Sequence, residues 1–298
     1  MEKRVPLGQE ALVTKGWWKS HQWLVLRRLS QLSVLALFLL GPWFGVWVIK
    51  GNIASSLILD TVPLTDPYLL IQVLLTRHLP ETTAVLGAAI VLGFYLLVGG
   101  RVYCSWVCPV NMATDFAAWL RRRFGITSAA RLSRNTRFWL LGLTLAMALV
   151  TGTLAWELIN PVTAVYRGLV FGMGLGWTVL LALFLFDFVI ANRGWCGHLC
   201  PVGAFYSLIG RVSVVRVSAI RRDQCNDCMD CFIVCPEPQV IRPALKGSDE
   251  TSPVIRDGTC TNCGRCIDIC SKDVFQFGLR NSGKMNSQVA NHQREVLS

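Results

Sequence analysis

Four long apolar stretches constrain this chain more than any other feature of its sequence. These stretches cover residues 29–49, 82–100, 138–156 and 169–191. Each is near the length of about 20 residues that a helix needs to cross a bilayer, and the only charged residue in them is Asp187. The whole chain is 53% hydrophobic and 16% charged, too apolar for an ordinary soluble enzyme. We therefore predict an α-helical membrane protein with four transmembrane helices, the first kinked at Gly41-Pro42.

The basic residues indicate how these helices are oriented. Of the 29 Lys and Arg residues, six lie in 1–28, seven in 101–137 and thirteen after Asn192, but only two in 50–81 and one in 157–168. Because Lys and Arg gather on the cytoplasmic side of membrane proteins, we expect a multi-pass protein with both termini in the cytoplasm and the two poorly basic segments facing outward. Topology and anionic lipid then explain the formal charge of +11, and no nucleic acid partner is expected.

Eight of the twelve cysteines form two matching runs near the C-terminus. Both runs follow C-x2-C-x2-C-x3-C, and they are Cys225, Cys228, Cys231 and Cys235, then Cys260, Cys263, Cys266 and Cys270. This is the spacing of bacterial two-cluster ferredoxins, in which the fourth cysteine of each run ligates the other cluster. A zinc ribbon would use C-x2-C pairs and leave the other cysteines idle. The prediction is a C-terminal bacterial-type 2[4Fe–4S] ferredoxin module with one cluster on Cys225, Cys228, Cys231 and Cys270, and the other on Cys260, Cys263, Cys266 and Cys235.

The other four cysteines form a second repeat. Cys104 and Cys108 lie in C-S-W-V-C-P-V, and Cys196 and Cys200 lie in C-G-H-L-C-P-V. Each C-x3-C-P motif follows an even-numbered apolar stretch, so the membrane part is predicted to consist of two helix-pair repeats, and such duplication often brings equivalent sites together. Cysteines at i and i+4 share one face of a helix. Four facing thiols suit a third [4Fe–4S] cluster, a copper or zinc site, or two redox-active dithiols; the alternative is four buried small residues.

These features divide the chain into four parts. A cytoplasmic N-terminal arm covers 1–28, the membrane domain 29–215, the ferredoxin-like domain 216–280, and a polar tail that we expect to be disordered 281–298. Within the segment 50–81, an apolar run bounded by prolines is too short to span a membrane, and we expect it to form an interfacial helix.

The chain resembles the NapH-type quinol dehydrogenase membrane subunits of periplasmic nitrate reductase systems over nearly its whole length. The resemblance rests on both C-x3-C-P motifs and on G-W-W-K-S-H-Q-W-L-V-L-R-R, L-D-T-V-P-L-T-D-P, W-E-L-I-N-P-V and C-N-D-C-M-D-C-F-I-V-C-P-E-P. It implies a protein of the bacterial inner membrane that passes electrons from the membrane quinone pool toward a NapG-like periplasmic iron–sulfur protein and the nitrate reductase chain. The wider family, which includes maturation proteins of other reductases and oxidases, shares the C-x3-C-P and ferredoxin parts.

A quinol site needs groups that accept protons from both hydroxyls. Asp187 is a candidate proton acceptor because ionisable residues inside spans are costly and usually functional; alternatively, it reaches the inner surface or pairs with Arg193. Further candidates on the outer side are Trp43, Trp47, Asp66, His78, Glu157 and Asn160. The four histidines lie outside the apolar stretches and no C-x-x-C-H is present, so the sequence supports no haem.

Three functions fit these features. The first is a quinol-oxidising electron-transfer subunit. The second is a redox maturation factor for a copper centre that uses the four C-x3-C-P thiols. The third is a structural anchor whose clusters only fold the C-terminal part. The first leaves one difficulty, because the predicted clusters are cytoplasmic and the implied acceptor is periplasmic.

Overall fold

The computed structural model describes residues 6–130, 132–172, 174–247 and 251–280. The predicted polar tail, 281–298, lies outside these residues. The chain divides into two compact units. We call the first the ferredoxin unit, which comprises the described parts of Met1–Arg28, Leu96–Val102 and Ser207–Ser298. We call the second the helical unit, which comprises Leu29–Tyr95 and Tyr103–Tyr206.

Twelve α-helices occur in the described residues. They are α1 Gln9–Phe44, α2 Pro67–Leu75, α3 Thr82–Val98, α4 Val110–Arg123, α5 Thr136–Thr151, α6 Ala155–Ile159, α7 Pro161–Phe171, α8 Gly174–Leu185, α9 Pro201–Gly210, α10 Asp230–Val234, α11 Ile241–Lys246 and α12 Arg265–Ile269. Short 3₁₀ turns occupy Arg222–Gln224 and Pro238–Val240. Three π-helical turns lie at Tyr103–Val107, Phe186–Ile190 and Trp195–Leu199. Two of them coincide with the C-x3-C-P motifs.

Helix α1 has non-helical backbone angles at Gly16, far from the kink predicted at Gly41-Pro42. Its dihedral angles stay helical through Gly41 and Pro42, whereas Gly16 has φ 76° and ψ 169°. Only glycine adopts such angles without steric cost. The N-terminal arm predicted at 1–28 is therefore largely helical, and α1 continues from this arm into the first apolar stretch.

Left-handed glycines end two of the predicted spans early. Gly45, with φ 73°, directly follows α1, so the stretch 29–49 is helical only to its residue 44. Gly152, with φ 66°, ends α5 and shortens the stretch 138–156 in the same way. A left-handed residue after the last helical turn is a common helix terminator. The apolar pattern alone did not show these ends.

The fourth apolar stretch is not one helix, as predicted for 169–191, but two. Gly172, with φ 65°, ends α7, and α8 begins two residues later. The two helices pack closely, because a Cβ atom on Gly176 would overlap the carbonyl oxygen of Ala164 and lie 3.1 Å from the Cα of Gly168. The glycine-rich string around Gly172 therefore serves both to break the helix and to allow close packing.

One helix of the described residues, α1 with 36 residues, is long and apolar enough to cross a membrane. Three shorter apolar helices, Thr82–Val98, Thr136–Thr151 and Gly176–Ile190, overlap the other predicted spans. The longest of them has 17 residues and measures roughly 25 Å at 1.5 Å per residue, slightly less than a hydrocarbon core of about 30 Å. The arrangement with four spans therefore stays a prediction.

The segment 50–81 contains a small sheet as well as the expected helix. Strands β1 Ile49–Gly51, β2 Ser55–Ile58 and β3 Val62–Thr65 pair antiparallel in that order. Helix α2 follows, with Pro67 at its first position and the side chain of Asp66 accepting a hydrogen bond from the Tyr68 N–H. This is a favourable start for a helix. The predicted helix is present, whereas the sheet was not predicted.

The ferredoxin unit is built around a two-stranded antiparallel sheet and short helices. Strand β4 Val215–Ser218 pairs with β5 Gln276–Leu279, with Val217 opposite Phe277. The core formed by this sheet, α10 and α11 contains Val217, Ala219, Val240, Ile241, Ala244, Leu245, Ile255, Val274 and Phe275. Six of the eight ferredoxin-run cysteines belong to this core or pack against it, so most of the candidate ligands are held by buried apolar side chains.

Candidate functional site

The two cysteine runs of the ferredoxin unit have the same backbone conformation. Asp227 and Met229 in the first run have positive φ of 58° and 62°, and Asn262 and Gly264 at the equivalent positions of the second have 46° and 72°. These left-handed residues turn the chain sharply between successive cysteines. A short helix, α10 or α12, then carries the third cysteine and ends immediately before the fourth.

The structure brings the fourth cysteine of each run to the other run. One pocket is lined by Cys225, Cys228, Cys231 and Cys270, together with apolar side chains that include Phe232 and Ile269. In the second group, burial and then Cys263, Cys235 and Cys260 raise the pKa of the Cys266 thiol well above its ordinary value. The structure therefore places each fourth cysteine beside the other run, and the crossed ligation of the clusters stays a prediction.

The chemistry of both quartets suits iron–sulfur clusters. Each supplies four thiols, and burial raises the pKa of Cys231 and Cys260 to about 12, so that an uncompensated thiolate is unfavourable. A bound cationic group would reverse this cost. Among the residues the structure describes, no three His, Cys, Asp or Glu side chains converge closely enough to hold a single metal ion. The thiols of the first quartet line the walls of its pocket.

The N-terminal arm packs against the second cysteine run. Asp268, in α12, accepts hydrogen bonds from the N–H groups of Trp23 (3.2 Å) and Leu24 (3.0 Å). The ring of Trp23 covers Gly264, where a Cβ would lie 2.5 Å from the ring. Arg27 is 1% exposed. Burial opposes ionisation of Cys263, but Arg265 and Arg27 lower the pKa of its thiol.

Both C-x3-C-P motifs fold into π-helical turns. The Cys108 N–H donates to the Tyr103 carbonyl at 3.0 Å, and the Cys200 N–H donates to the Trp195 carbonyl at 2.9 Å. Each bond spans five residues, which defines a π turn. Pro109, after the second cysteine of the first motif, directly precedes α4, and Pro201, after the second cysteine of the second motif, begins α9. The predicted duplication is therefore visible in the backbone, although the cysteines do not lie on an ordinary α-helix face as expected.

The four C-x3-C-P cysteines line one cavity in the helical unit. Its empty volume, which includes space open to solvent, is about 610 Å³. The lining consists of Ile53, Ala54, Asp66, Tyr103, Cys104, Cys108, Val110, Trp156, Asn160, Pro161, Val162, Thr163, Trp195, Cys196, Cys200, Val202 and Gly203. Burial, followed by neighbouring thiols, raises the pKa of Cys108 and Cys196 above the ordinary range. The two halves of the duplication therefore form one thiol-lined site.

The cavity also contains residues that charge counting assigned to the opposite side of the membrane. Asp66, from segment 50–81, accepts a hydrogen bond of 2.9 Å from the hydroxyl of Tyr206, six residues after Cys200. Asn160 and Thr163, from segment 157–168, share the cavity with the cysteines. Such contacts are incompatible with a separation of about 30 Å. Residues of both segments therefore reach the C-x3-C-P motifs, and the side of the membrane that each segment faces stays a prediction.

Asp187 does not line the cavity. Its side chain is 0% exposed, and its Oδ1 accepts a hydrogen bond of 3.0 Å from the N–H of Trp195, the first residue of the second π turn. Arg193, its expected partner, lies 3.7 Å from Asp115 and also acts on Asp187 through its charge. The carboxylate of Asp187 therefore stabilises the turn that carries Cys196 and Cys200.

The remaining candidates do not all converge. Asp66 and Asn160 line the cavity, whereas Trp43 and Trp47 are more than half exposed and His78 is exposed. Glu157 lies outside the lining and accepts hydrogen bonds from Asn160 (2.9 Å) and Thr163 (2.8 Å). Sequence reasoning missed Tyr103 and Tyr206. Their position just before and just after a C-x3-C-P motif was the only available signal.

Asp66 has an unusual electrostatic environment. Burial raises its pKa to about 6, the hydrogen bonds from Tyr68 and Tyr206 lower it, and the charge of Glu157 raises it. Tyr206 in turn stacks on Tyr103 with ring centroids 5.1 Å apart. A carboxyl with this pKa exchanges its proton near neutral pH.

Comparison with known proteins agrees with the duplication and with the cysteine runs. A model described as a 4Fe-4S binding domain matches residues 81–127 and 169–220, so that it covers both C-x3-C-P motifs. A second, described as a 4Fe-4S dicluster domain, matches 224–274. No solved structure matches the chain.

Proteins with a similar sequence extend over almost the whole chain. The ferredoxin-type protein NapH of Escherichia coli is 54% identical over 92% of this chain and 95% of its own length. NapH of Haemophilus influenzae is 50% identical over 92% and 95%. The methylamine utilization ferredoxin-type protein MauN of Paracoccus denitrificans is 53% identical over 91% and 95%.

The chain belongs to the NapH/MauN family of ferredoxin-type proteins. The resemblance to NapH noted in the sequence is confirmed, and the match to MauN is equally close. As a member of the NapH/MauN family, the chain carries 4Fe–4S binding domains in its C-terminal part and around both C-x3-C-P motifs.

Proposed function

We propose that this chain is a membrane electron-transfer subunit that oxidises quinol and passes the electrons through iron–sulfur clusters. The observation that carries this proposal is the single cavity in which Cys104, Cys108, Cys196 and Cys200 meet. A site assembled from both halves of a duplication, next to a carboxylate and a ring of aromatic side chains, suits a redox reaction coupled to proton transfer.

Two [4Fe–4S] clusters would be held by the crossed quartets of the ferredoxin unit. When bound, each supplies one-electron transfer chemistry. The protein supplies the thiols, the left-handed turns that aim them, and the surrounding charge. Arg27 and Arg265 act on the second quartet and Lys246 on Cys225 in the first.

A third iron–sulfur site would be held by the four C-x3-C-P cysteines. The 4Fe-4S binding domain model matches both motifs, which supports this assignment over two separate dithiols or a copper site.

We infer that the helical unit spans the inner membrane with four helices and that both termini are cytoplasmic. The apolar helices and the distribution of basic residues support this topology. Because residues of 50–81 and 157–168 reach the cysteine cavity, this site would shorten the electron path between inner clusters and an outer acceptor. Reporter fusions after Ser298 and within residues 60–70 should report opposite sides.

The electron acceptor that we propose is a NapG-like periplasmic iron–sulfur protein that serves a periplasmic nitrate reductase. The relatives named NapH support this assignment, and those named for methylamine utilization provide the alternative. Deletion of the gene should abolish quinol-dependent nitrate reduction. If the deletion abolishes only methylamine oxidation, the acceptor belongs to the amine pathway and the assignment to nitrate reduction is wrong.

The proposal is tested by adding a quinol to the purified full-length chain in lipid vesicles and following cluster reduction by EPR. We expect the quinol to reduce the clusters of the native chain. Replacing Cys104 with Ser should prevent this reduction while the ferredoxin clusters stay reducible by dithionite. The matched control, Ser105→Ala, changes a residue of the same π turn outside the cavity lining. Failure of quinol to reduce any cluster of the native chain would overturn the proposed function.

A further inference from the structure

The two carboxylate oxygens of Asp66 have different environments. Oδ1 accepts hydrogen bonds from the N–H of Tyr68 (3.0 Å) and from the hydroxyl of Tyr206 (2.9 Å). Within the described part of the chain, Oδ2 accepts none, while the residue lines the cysteine cavity. One oxygen is therefore held in place, and the other is available to a molecule in the cavity.

The elements around Asp66 fix its position. Tyr206 is 1% exposed and its ring packs between Tyr103, at 5.1 Å, and Tyr95, at 5.0 Å. Tyr68 is also 1% exposed, and its hydroxyl lies 2.7 Å from Thr144 Oγ1. A carboxylate held by locked neighbours is preorganised for proton transfer, because it loses little freedom when it meets a substrate.

Glu157, the other carboxylate near this site, has both of its oxygens engaged in hydrogen bonds. Glu157 uses one oxygen to accept from Asn160 Nδ2 and the other to accept from Thr163 Oγ1. Asp187 lies outside the cavity lining and binds the N–H of Trp195. Asp66 is thus the acidic side chain that lines the cavity and keeps an oxygen open to it.

Resting on the proposed function, we infer that Asp66 is the catalytic base of quinol oxidation in the cysteine cavity and that Tyr206 is its positioning residue. The inference deepens the proposed function by assigning the proton acceptor to the segment 50–81 rather than to Asp187.

The step balances as follows. An O–H bond of the quinol would break and its proton would bind Oδ2 of Asp66, while an oxidised iron–sulfur centre held by the four cysteines would supply a one-electron acceptor. The second electron would follow once the first has passed on to the clusters of the ferredoxin unit, and the proton of the second hydroxyl goes to water. The products are the quinone, two electrons on the iron–sulfur chain and two protons, the first released to water when Asp66 ionises again.

Asp66→Asn in the full-length chain in vesicles tests this inference. Asparagine keeps the Oδ1 acceptor and caps a helix as well as aspartate does, but it cannot take up a proton at the same position. Asp60→Asn is the matched control, because it removes an exposed carboxylate of the same segment. The probes are a short-chain benzoquinol and a naphthoquinol, with iron content and dithionite-reduced EPR spectra measured for each variant.

We expect Asp66→Asn to lower kcat by at least about 100-fold, the usual contribution of a general base, with quinol Kd and iron content unchanged. Redox-induced infrared difference spectra should show a protonated carboxyl band in the native chain that Asp66→Asn lacks and Asp60→Asn retains. Asp66→Glu should restore part of the rate. Tyr206→Phe should retain the band and the clusters but lower kcat.

The outcomes separate the inference from the proposed function. A native chain that oxidises neither quinol refutes the proposed function. If the native chain is active and Asp66→Asn retains its rate and the carboxyl band, Asp66 is not the base. Loss of iron from Asp66→Asn would also overturn the inference, because the residue would then act structurally.

Discussion

Arg101 and Glu237 form a buried ion pair in the ferredoxin unit. The Nη1 atom of Arg101 lies 2.6 Å from Oε1 of Glu237, and neither side chain is more than 2% exposed. The same nitrogen donates to the Thr259 carbonyl at 2.9 Å. Glu237 comes two residues after Cys235, and Thr259 directly precedes Cys260. The pair therefore links the chain next to Cys235 with the chain next to Cys260, two cysteines of the second quartet.

Removing one partner of this pair should destabilise the unit strongly. Arg101→Leu would leave the Glu237 charge buried opposite an apolar side chain, which costs roughly 3–5 kcal/mol of unfolding free energy. Denaturant unfolding followed by cluster absorbance measures the effect. Lys50→Leu is the control, because it removes an exposed ion pair with Asp60 that contributes at most about 1 kcal/mol. Equal losses in the two variants would contradict the role given to the buried pair.

Crossed ligation predicts which cluster each fourth cysteine supports. Cys235→Ala should remove the EPR signal of the cluster on Cys260, Cys263 and Cys266 and spare the other. Cys270→Ala should do the reverse, because it lines the pocket with Cys225 and Cys228. If Cys235→Ala spares the 260–266 cluster and loses its neighbour, the crossing is wrong.

The charge of Arg27 should raise the reduction potential of the second cluster. A buried cation stabilises the added electron, and nearby net charge is one of the factors that set cluster potentials. We expect Arg27→Gln to lower the reduction equilibrium constant of that cluster about tenfold, or 59 mV for one electron. An EPR-monitored redox titration measures both clusters in one sample. Arg242→Gln, an exposed change on α11, should shift neither, and an equal shift of both clusters in Arg27→Gln would refute the assignment.

The pH dependence of quinol oxidation should follow Asp66. Its pKa is raised to about 6 by burial, and a base works only when deprotonated, so kcat/KM should fall as the pH drops below about 6. The hydrogen bond from Tyr206 lowers this pKa because it stabilises the charged form. Tyr206→Phe should therefore move the acid limb to higher pH. A profile that Tyr206→Phe leaves unmoved would show that another group controls it.

The sequence predicted the local chemistry better than the arrangement in space. Cysteine spacing alone indicated the crossed quartets, and the helix α2 was expected from its proline-bounded apolar run. These features depend on neighbours close in the chain. The helix ends at Gly45, Gly152 and Gly172 were missed, because apolar periodicity continues through a glycine whose left-handed conformation ends the helix.

The cavity could not be predicted for a different reason. Counting basic residues placed Asp66 and the cysteines on opposite sides of the membrane, whereas Tyr206 joins the two regions by a hydrogen bond. Charge counting assigns sides to loops but carries no information on how deeply a loop folds back into the protein. Cysteine spacing could not predict the π turns either, because C-x3-C places both cysteines on one face of an ordinary α-helix equally well.

The most direct measurement for the shared cysteine site is iron and acid-labile sulfide per chain in the purified full-length protein, together with EPR. Three [4Fe–4S] clusters require about twelve irons. We predict about twelve in the native chain and in Ser105→Ala, and about eight in single Ser variants at Cys104, Cys108, Cys196 or Cys200, with equal losses because a shared site fails as a unit. About eight irons in the native chain, unchanged in those four variants, would contradict the shared iron–sulfur site.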